Sequence, residues 1–243
     1  MKVSIITISF NSALTIEETL KSVKNQSYKD IEHIIIDGKS NDDTINICNN
    51  YPHLVKIICE KDKGVYDAFN KGLKIASGDV IGFLNSDDTF ADKESLKKIV
   101  DGFDSETHAV FGNLNFYNKN NKVIRKWISK PFKKGAFEKA WMPPHPTFYC
   151  RKNIYDKYGY YDDSFMIAGD FELMLRFIEC RKIKTKFLDQ NLIKMKSGGI
   201  SNSGFKSKIK ILKEEFKAFK MNKIKLNRFN YILNKAIKIR EFF

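Results

Sequence analysis

Asp87 and Asp88 stand side by side at the end of an apolar run, in the stretch DVIGFLNSDDTF at residues 79–90. Burial rewards the apolar half of this stretch. Adjacent like charges repel and lose hydration when buried, so the acids belong at an exposed or ligand-bound strand end. Such a pair suits a hard divalent cation, Mn2+ or Mg2+, which takes oxygen ligands and often bridges to phosphate. Taken alone, Asn-Ser-Asp-Asp also makes an ordinary turn. What favours chemistry is that further acids recur in the same setting: Asp37, Glu60 and Asp62 follow other apolar runs. Asp170 stands just before FELMLRF, where a carboxylate can cap a helix or act as a general base. Asp162 and Asp163, in YDDS, are alternatives for the base in what reads as a surface turn. His145, in PPHPTF, stands between prolines and fits a structural loop residue as well as a functional one.

The elements that must position these residues follow from hydrophobic period. KVSIITISF is rich in β-branched residues and reads as a buried strand, after which Ile16, Leu20 and Val23 take helical spacing. Thr15 and Glu18 predict a capping box at that helix start. IEHIIIDG is a second strand, SNDDTINICNNY a short helix, LVKIICE a third strand, and VYDAFNKGLKIAS a helix expected to stop at Gly78. The run before Asp87 is the fourth strand. Four strands alternating with helices predict a right-handed, mostly parallel α/β sheet, which binds ligands beyond the carboxyl ends of its strands. The acids fall on that edge.

After a helix around 93–103 the pattern loosens into AVFGNLNFYNKNNKVIRKW, strands around a polar turn, so the second half is antiparallel or mixed. WMPPHPTFYC is a loop entering a strand, and GDFELMLRFIEC a helix with Phe171, Leu175 and Ile178 on one side. SGGIS, at 197–201, is a flexible loop or a mobile lid. Beyond it, Ile209, Leu212, Phe216 and Phe219, then Ile224, Phe229, Ile232, Leu233, Ala236 and Ile237, follow helical spacing between lysines.

At 243 residues the chain can hold one sizeable core, or a core with an appendage. No apolar stretch approaches the roughly 18–20 residues that cross a bilayer. The four cysteines show no metal-ligand spacing, and no signal peptide precedes the first strand, so a reducing cytoplasm is the expected compartment. Of the net charge of +14, residues 203–243 carry +9. Most of the excess therefore lies in an amphipathic tail.

These segments carry a resemblance. SIITISFNSALTIEETLKSVKNQSY, IIIDGKSNDDT, EKDKGVYDAFNKGLKIASGDVIGFLNSDD and AGDFELMLRF, in that order and spacing, resemble glycosyltransferase family 2, with a GT-A fold, over about residues 1–202. The DKGVYDAFNKG signature resembles the branch that builds bacterial exopolysaccharides and lipopolysaccharides. The resemblance implies a Rossmann-like α/β catalytic domain at 1–202, with a nucleotide-sugar-binding half to about 112 and an acceptor half from about 113, followed by amphipathic helices at 203–243.

It also implies roles. Thr7, Ser9, Phe10 and Asn11 would lie along the nucleoside, and Asp37 would accept a hydrogen bond from the base imide, favouring a UDP-sugar donor. Asp62 would sit near the base, with Gly64 permitting close backbone approach. Asn85 to Asp88 would be the DXD-like motif, with Asn85 in place of the usual first Asp, so that Asp87 and Asp88 carry the ribose and metal contacts and His145 joins them at the metal or diphosphate. Asp170 would take the proton from an acceptor hydroxyl in a single-displacement, inverting transfer. A helix N-terminus would lower its pKa and make it a modest base, with late proton transfer.

The expected partners are a nucleotide-sugar donor, a glycan or lipid-linked glycan acceptor, and an anionic membrane surface that holds the tail on the cytoplasmic face. Alternatively the tail packs on the catalytic domain or pairs subunits in a homo-oligomer. A nicotinamide oxidoreductase is excluded because SFNSALT stands where G-x-G-x-x-G is required. A nucleic-acid binder is disfavoured because acids occupy the ligand edge. A sugar nucleotidyltransferase uses similar acids and is separated by its products.

Overall fold

The computed structural model describes residues 1–118, 120–196 and 204–240. The centre is a nine-stranded sheet. Strand β1 (Val3–Ser9) lies between β2 (Ile31–Asp37) and β4 (Val80–Phe83), and β3 (Leu54–Cys59) flanks β2, all parallel. This is the expected half, in spatial order β3-β2-β1-β4, and β1 and β2 are buried along almost their whole length, as strands covered on both faces must be.

The second half is mixed. Beyond β4 come β8 (Tyr149–Arg151), β6 (Ala109–Tyr117), β9 (Thr185–Lys196) and the two-residue β5 (Thr89–Phe90), with β7 (Val123–Trp127) paired to β6. β8 is antiparallel to both β4 and β6, whereas β9 is parallel to β6. The seam between the halves is narrow: β4 and β8 pair only at Val80 with Arg151 and Ile81 with Cys150.

Helix α1 (Ile16–Lys24) buries Ile16, Leu20 and Val23 as its spacing predicts. Its capping box does not form. The Thr15 hydroxyl turns back to the Ser12 carbonyl at 3.4 Å, and Glu18 is drawn into an ion pair with Lys196 at 2.7 Å. After α2 (Thr44–Asn49), helix α3 (Val65–Ile75) buries Tyr66, Phe69 and Leu73. It stops at Ala76, which is already extended, before Gly78 is reached. Gly78 serves a different need: a side chain there would lie 2.6 Å from the Ser4 backbone nitrogen.

Helices α4 (Ser95–Asp101) and α5 (Lys152–Tyr158) precede α6 (Gly169–Met174), which continues as a π-helical turn over Leu175–Cys180. One core lies between the sheet and α3 and α6, around Ile6, Phe69, Phe83 and Phe111. A second, around Val3, Val80, Leu96 and Leu192, fills the opposite face, and a smaller one gathers Ile16, Leu20, Ile35 and Cys48.

The tail forms α7 (Gly204–Met221) and α8 (Arg228–Arg240). Ala218, Phe219 and Tyr231 are buried in the same core as Phe171, with the Phe171 and Phe219 rings edge to face at 5.5 Å. The opposite side stays in solvent: Ile209, Phe229, Ile232, Leu233 and Ile237 are all exposed. Among the described residues, no helix is long and apolar enough to cross a membrane.

Candidate active site

The parallel strands end together, and their last residues build one wall. Asp37 closes β2 and is fully buried. Its Oδ2 accepts the hydroxyls of Ser9 (2.8 Å) and Ser40 (2.6 Å), and its Oδ1 accepts the Ser40 amide (2.7 Å) and the Cys59 thiol (3.3 Å). The direct base contact implied for Asp37 is therefore not presented by this fold. The carboxylate faces inward, where these hydrogen bonds offset the cost of its desolvation and tie three strand ends together. Thr7 and Ser9 are buried likewise, because they still belong to β1: Thr7 Oγ1 meets His33 Nε2 at 3.0 Å in the core, and Ser9 is committed to Asp37.

The exposed part of this segment is Phe10 and Asn11. Phe10 is 62% exposed, a large apolar ring left in water. Asn11 has φ 49°, its amide donates to Ser40 Oγ at 2.8 Å, and its Oδ1 accepts the Asn41 amide at 2.9 Å. Asp62 closes on the same ring across Gly38, where an added Cβ would lie 3.0 Å from Asp62 Oδ2 and 3.3 Å from the Phe10 ring. Gly64 has φ 145°, a region disfavoured for other residues, and nothing among the described residues lies within 4 Å of where its side chain would be. Lys71 pairs with Asp62 (2.6 Å), Glu60 (3.0 Å) and Asp67 (3.4 Å). Burial alone would lower the Lys71 pKa, but these carboxylates raise it, so the cation is fixed in place.

Asn85 to Asp88 turn sharply after β4, with the Asp88 amide on the Asn85 carbonyl at 3.0 Å and the Thr19 hydroxyl on the Asp88 carbonyl at 2.8 Å. Asp88 is fully buried, yet among the described residues neither of its carboxylate oxygens has a hydrogen-bond partner, and the same holds for Asn85 Oδ1. Burial, then the neighbouring charge of Asp87, push the Asp88 carboxyl well above the ordinary range. The Lys196 amide and the Asn85 side chain approach and pull it partly back, without completing a hydrogen bond. Asp87 is half-buried and raised by burial. Buried, unpaired oxygens of this kind fit a hard cation.

His145 does not complete that group. Among the described residues, no cluster of three metal-ligating side chains forms, and Asp87, Asp88 and His145 are not brought together as one. His145 is 9% exposed, with its ring against Phe69 and Phe83 at centroid distances of 5.3 and 5.4 Å and its Nε2 on the Tyr161 hydroxyl at 2.7 Å. Burial lowers its pKa to about 4, so it is neutral at physiological pH. The prolines and the aromatic box make it a wall residue.

That wall leads to Asp170. Tyr161 stacks on Tyr66 at 5.6 Å, and the Tyr66 hydroxyl donates to the Ile167 carbonyl at 2.6 Å, with Asp170 Oδ1 at 3.4 Å. Asp170 is not the N-cap of α6. That position is Ala168, and Asp170 sits in the first turn, its Oδ1 accepting the Phe171 amide at 2.8 Å. Its pKa is pushed up to about 6, against the expected lowering, because burial outweighs the helix amides. Asp162 spends its Oδ1 on the Ser164 amide at 2.9 Å in a turn, and Asp163 is exposed. The SGGIS segment lies outside the described residues.

Two participants escaped the sequence reading. Tyr66 belongs to the DKGVYDAFNKG signature, and its apolar-face spacing hid its hydroxyl. Glu214, on α7, accepts the backbone amides of Met166, Ile167 and Ala168 at 3.1, 2.9 and 2.8 Å. No local pattern links it to a loop nearly fifty residues earlier.

A parallel half feeding acids to one edge, joined to a mixed half that carries the Asp170 helix, is the GT-A architecture of glycosyltransferases. Staphylococcus aureus TarS 1–349 in complex with UDP-GlcNAc shares it with a TM-score of 0.66 at 19% identity, over 90% of this chain and 66% of that one, just under two thirds of its length. The mannosyltransferase PcManGT of Pyrobaculum calidifontis, in complex with GDP-Man and Mn2+, shares it with a TM-score of 0.69 at 17% identity, over 97% of this chain and 69% of that one. Residues 4–168 match glycosyl transferase family 2, and the chain belongs to that family. An uncharacterised glycosyltransferase of Mycobacterium tuberculosis is 34% identical over 180 residues, 72% of this chain and 68% of its own. The Escherichia coli UDP-Glc:alpha-D-GlcNAc-diphosphoundecaprenol beta-1,3-glucosyltransferase WfaP is 33% identical over 219 residues, 86% of this chain and 83% of its own.

Proposed function

We propose that this glycosyltransferase is inverting and metal-dependent, and that it moves a sugar from a UDP-sugar to a hydroxyl of a lipid-linked glycan during assembly of a bacterial surface polysaccharide. The observation that carries the reading is the Asp88 carboxylate in the turn after β4, buried and without a hydrogen-bond partner among the described residues, together with Asp170 in the first turn of α6, held there by the Phe171 amide and facing Tyr66. The similarity to WfaP, whose name records a UDP-glucose donor and a diphosphoundecaprenol acceptor, supports the donor and acceptor class.

On this reading the exposed Phe10 ring stacks on the base, and Asp62 and the Asn11 turn meet its polar edge and the ribose. Gly64 lets the backbone of α3 approach the donor. Asp88 and Asp87, with Asn85 Oδ1, would hold Mn2+ or Mg2+. When bound, such an ion neutralises charge developing on the departing diphosphate. Asp170 works on the other reactant. The acceptor oxygen forms its bond to the anomeric carbon as the bond to the diphosphate oxygen breaks, the electron pair leaves with the diphosphate, and the acceptor proton passes to Asp170. Since Asp170 Oδ1 already accepts Phe171 and faces Tyr66, the proton goes to Oδ2. A pKa of about 6 leaves the group ionised at neutral pH and more basic than an ordinary carboxylate. One displacement inverts the anomeric centre.

Residues 1–112 form the donor half, 113–202 the acceptor half, and 203–243 a basic helical part that brings the enzyme to the cytoplasmic face of the membrane. The exposed apolar residues of α8, with Lys223, Lys225 and Arg228 exposed beside them, support that placement.

Calorimetry with UDP tests the core of the proposal. Affinity should rise with Mn2+ or Mg2+, and Asp88→Ala should abolish the increase. Equal affinity in all four conditions would remove the metal from the reading.

A further inference from the structure

Three side chains along one side of α7 grip the segment that leads into Asp170. Lys210 Nζ lies 2.8 Å from Met166 Sδ. The two carboxylate oxygens of Glu214 accept three consecutive amides, those of residues 166, 167 and 168. Lys217 Nζ donates to the Ser164 carbonyl (3.1 Å) and hydroxyl (2.7 Å) and stands 4.1 Å from the centre of the Phe165 ring. Positions 210, 214 and 217 are separated by four and three residues, which places them on one helical face. The tail is therefore a clamp on this loop as well as a cover for the core.

Glu214 is the centre of the clamp. The amides just before a short helix have no partner within it, and a single carboxylate satisfies them together through charge-assisted bonds. Ile167 is thereby fixed from two sides, its N–H by Glu214 and its carbonyl by Tyr66. Asp170 follows three residues later.

We propose that Glu214 is a positioning residue for Asp170: by holding the amides of residues 166–168 it sets where the base carboxylate stands against the acceptor. The inference rests on Asp170 being the base. The groups facing Asp170 from neighbouring elements are Tyr66 on α3, Tyr161 in the loop after α5, and Glu214 and Glu215 on α7, with Glu215 ion-paired to Lys235 of α8. Glu214 is the one that both touches the loop and adds negative charge near Asp170, which helps to raise the Asp170 pKa.

The test uses the full chain with Glu214→Gln and Asp170→Asn beside the wild type. It reads hydrogen exchange at amides 166–168, the Asp170 carboxyl titration by 13C NMR, affinity for UDP, the melting temperature, and transfer from UDP-glucose to a synthetic GlcNAc-diphospho-lipid. In Glu214→Gln, exchange at 166–168 should quicken at least about ten-fold and the Asp170 midpoint should move below about 6. Turnover should drop between ten- and a hundred-fold, roughly the effect of a small misplacement of a reacting group, while UDP affinity stays within about two-fold. Unchanged exchange and midpoint would overturn the proposal. So would losses of UDP affinity and melting temperature that match the loss of turnover, since those mark a general structural role. If Asp170→Asn transfers normally, the assignment of the base fails and the inference falls with it. If Asp170→Asn is inactive and Glu214→Gln is normal in every readout, the clamp alone fails.

Discussion

The Tyr66 hydroxyl stands 3.4 Å from Asp170 Oδ1 while donating at 2.6 Å to the Ile167 carbonyl, so one phenol on α3 braces both the loop and the acid of α6. Tyr66→Phe keeps the ring on Tyr161 and Gly169 but leaves that carbonyl without its donor. We expect about 1 kcal/mol lower stability by denaturant titration and a turnover reduced roughly ten-fold. Wild-type turnover in the variant would show that the brace is dispensable.

Asp170 sets a pH dependence of two kinds. Its carboxyl titrates near 6 in the fold against an ordinary 3.8, so the folded protein binds this proton more tightly than the unfolded chain does. Stability from this group is full at low pH and is lost as pH rises through about 6, the loss at neutral pH being as much as ~3 kcal/mol. Asp170→Asn should therefore melt higher than wild type at pH 7.5 and about equally at pH 4. Its transfer activity should be lost, with UDP affinity nearly intact. In the wild type, kcat/KM should fall about ten-fold per pH unit below 6. A flat acid limb would place the base elsewhere.

His145 separates a wall from a ligand. His145→Phe preserves the aromatic packing and removes the bond to Tyr161, so stability should drop by about 1 kcal/mol. The increase in UDP affinity produced by Mn2+ should stay within about two-fold of wild type. Loss of that increase would return His145 to the metal site.

The membrane reading is best tested by substitution, because a chain cut near residue 202 would strip α7 from Phe171 and remove Glu214. Phe229, Ile232 and Leu233 project from α8 into solvent, away from the buried Tyr231. Changing all three to Ser should leave the fold intact and weaken binding to phosphatidylglycerol vesicles at least about ten-fold at low salt. If the wild type does not sediment with these vesicles, packing or subunit pairing accounts for the exposed face.

Much of the parallel half was legible in the chain. Ile16, Leu20 and Val23 mark α1 because a helix on a covered sheet needs one apolar stripe, and the run before Asp87 marks β4 because both of its faces are buried. The acids read at strand ends do close or follow β2, β3 and β4 in the fold. Which way each acid turns was not legible: Asp37 and Asp88 are both fully buried carboxylates, and only the tertiary neighbours Ser9, Ser40 and Cys59 separate the satisfied one from the unsatisfied one. Local rules also lost to distant partners. Glu18 left its capping box for Lys196, and the helix amides around Asp170 were outweighed by burial under residues from α3 and α7. Glu214 had no signal in its own segment, since its amphipathic spacing fits a surface helix equally well.

The two-position seam between β4 and β8 divides the sheet into a parallel part, which runs out into Asp87 and Asp88, and a mixed part, which leads to the Asp170 helix. Inheritance can act on such parts separately. Exchanging the segment after Asp88 between relatives would interrupt few strand pairs with β1 to β4, so chimaeras joined there would exchange the mixed half while Asn85 to Asp88 stay unchanged. The graft must bring residues 161–170 and the α7 that grips them as one cassette, with a tyrosine waiting at position 66.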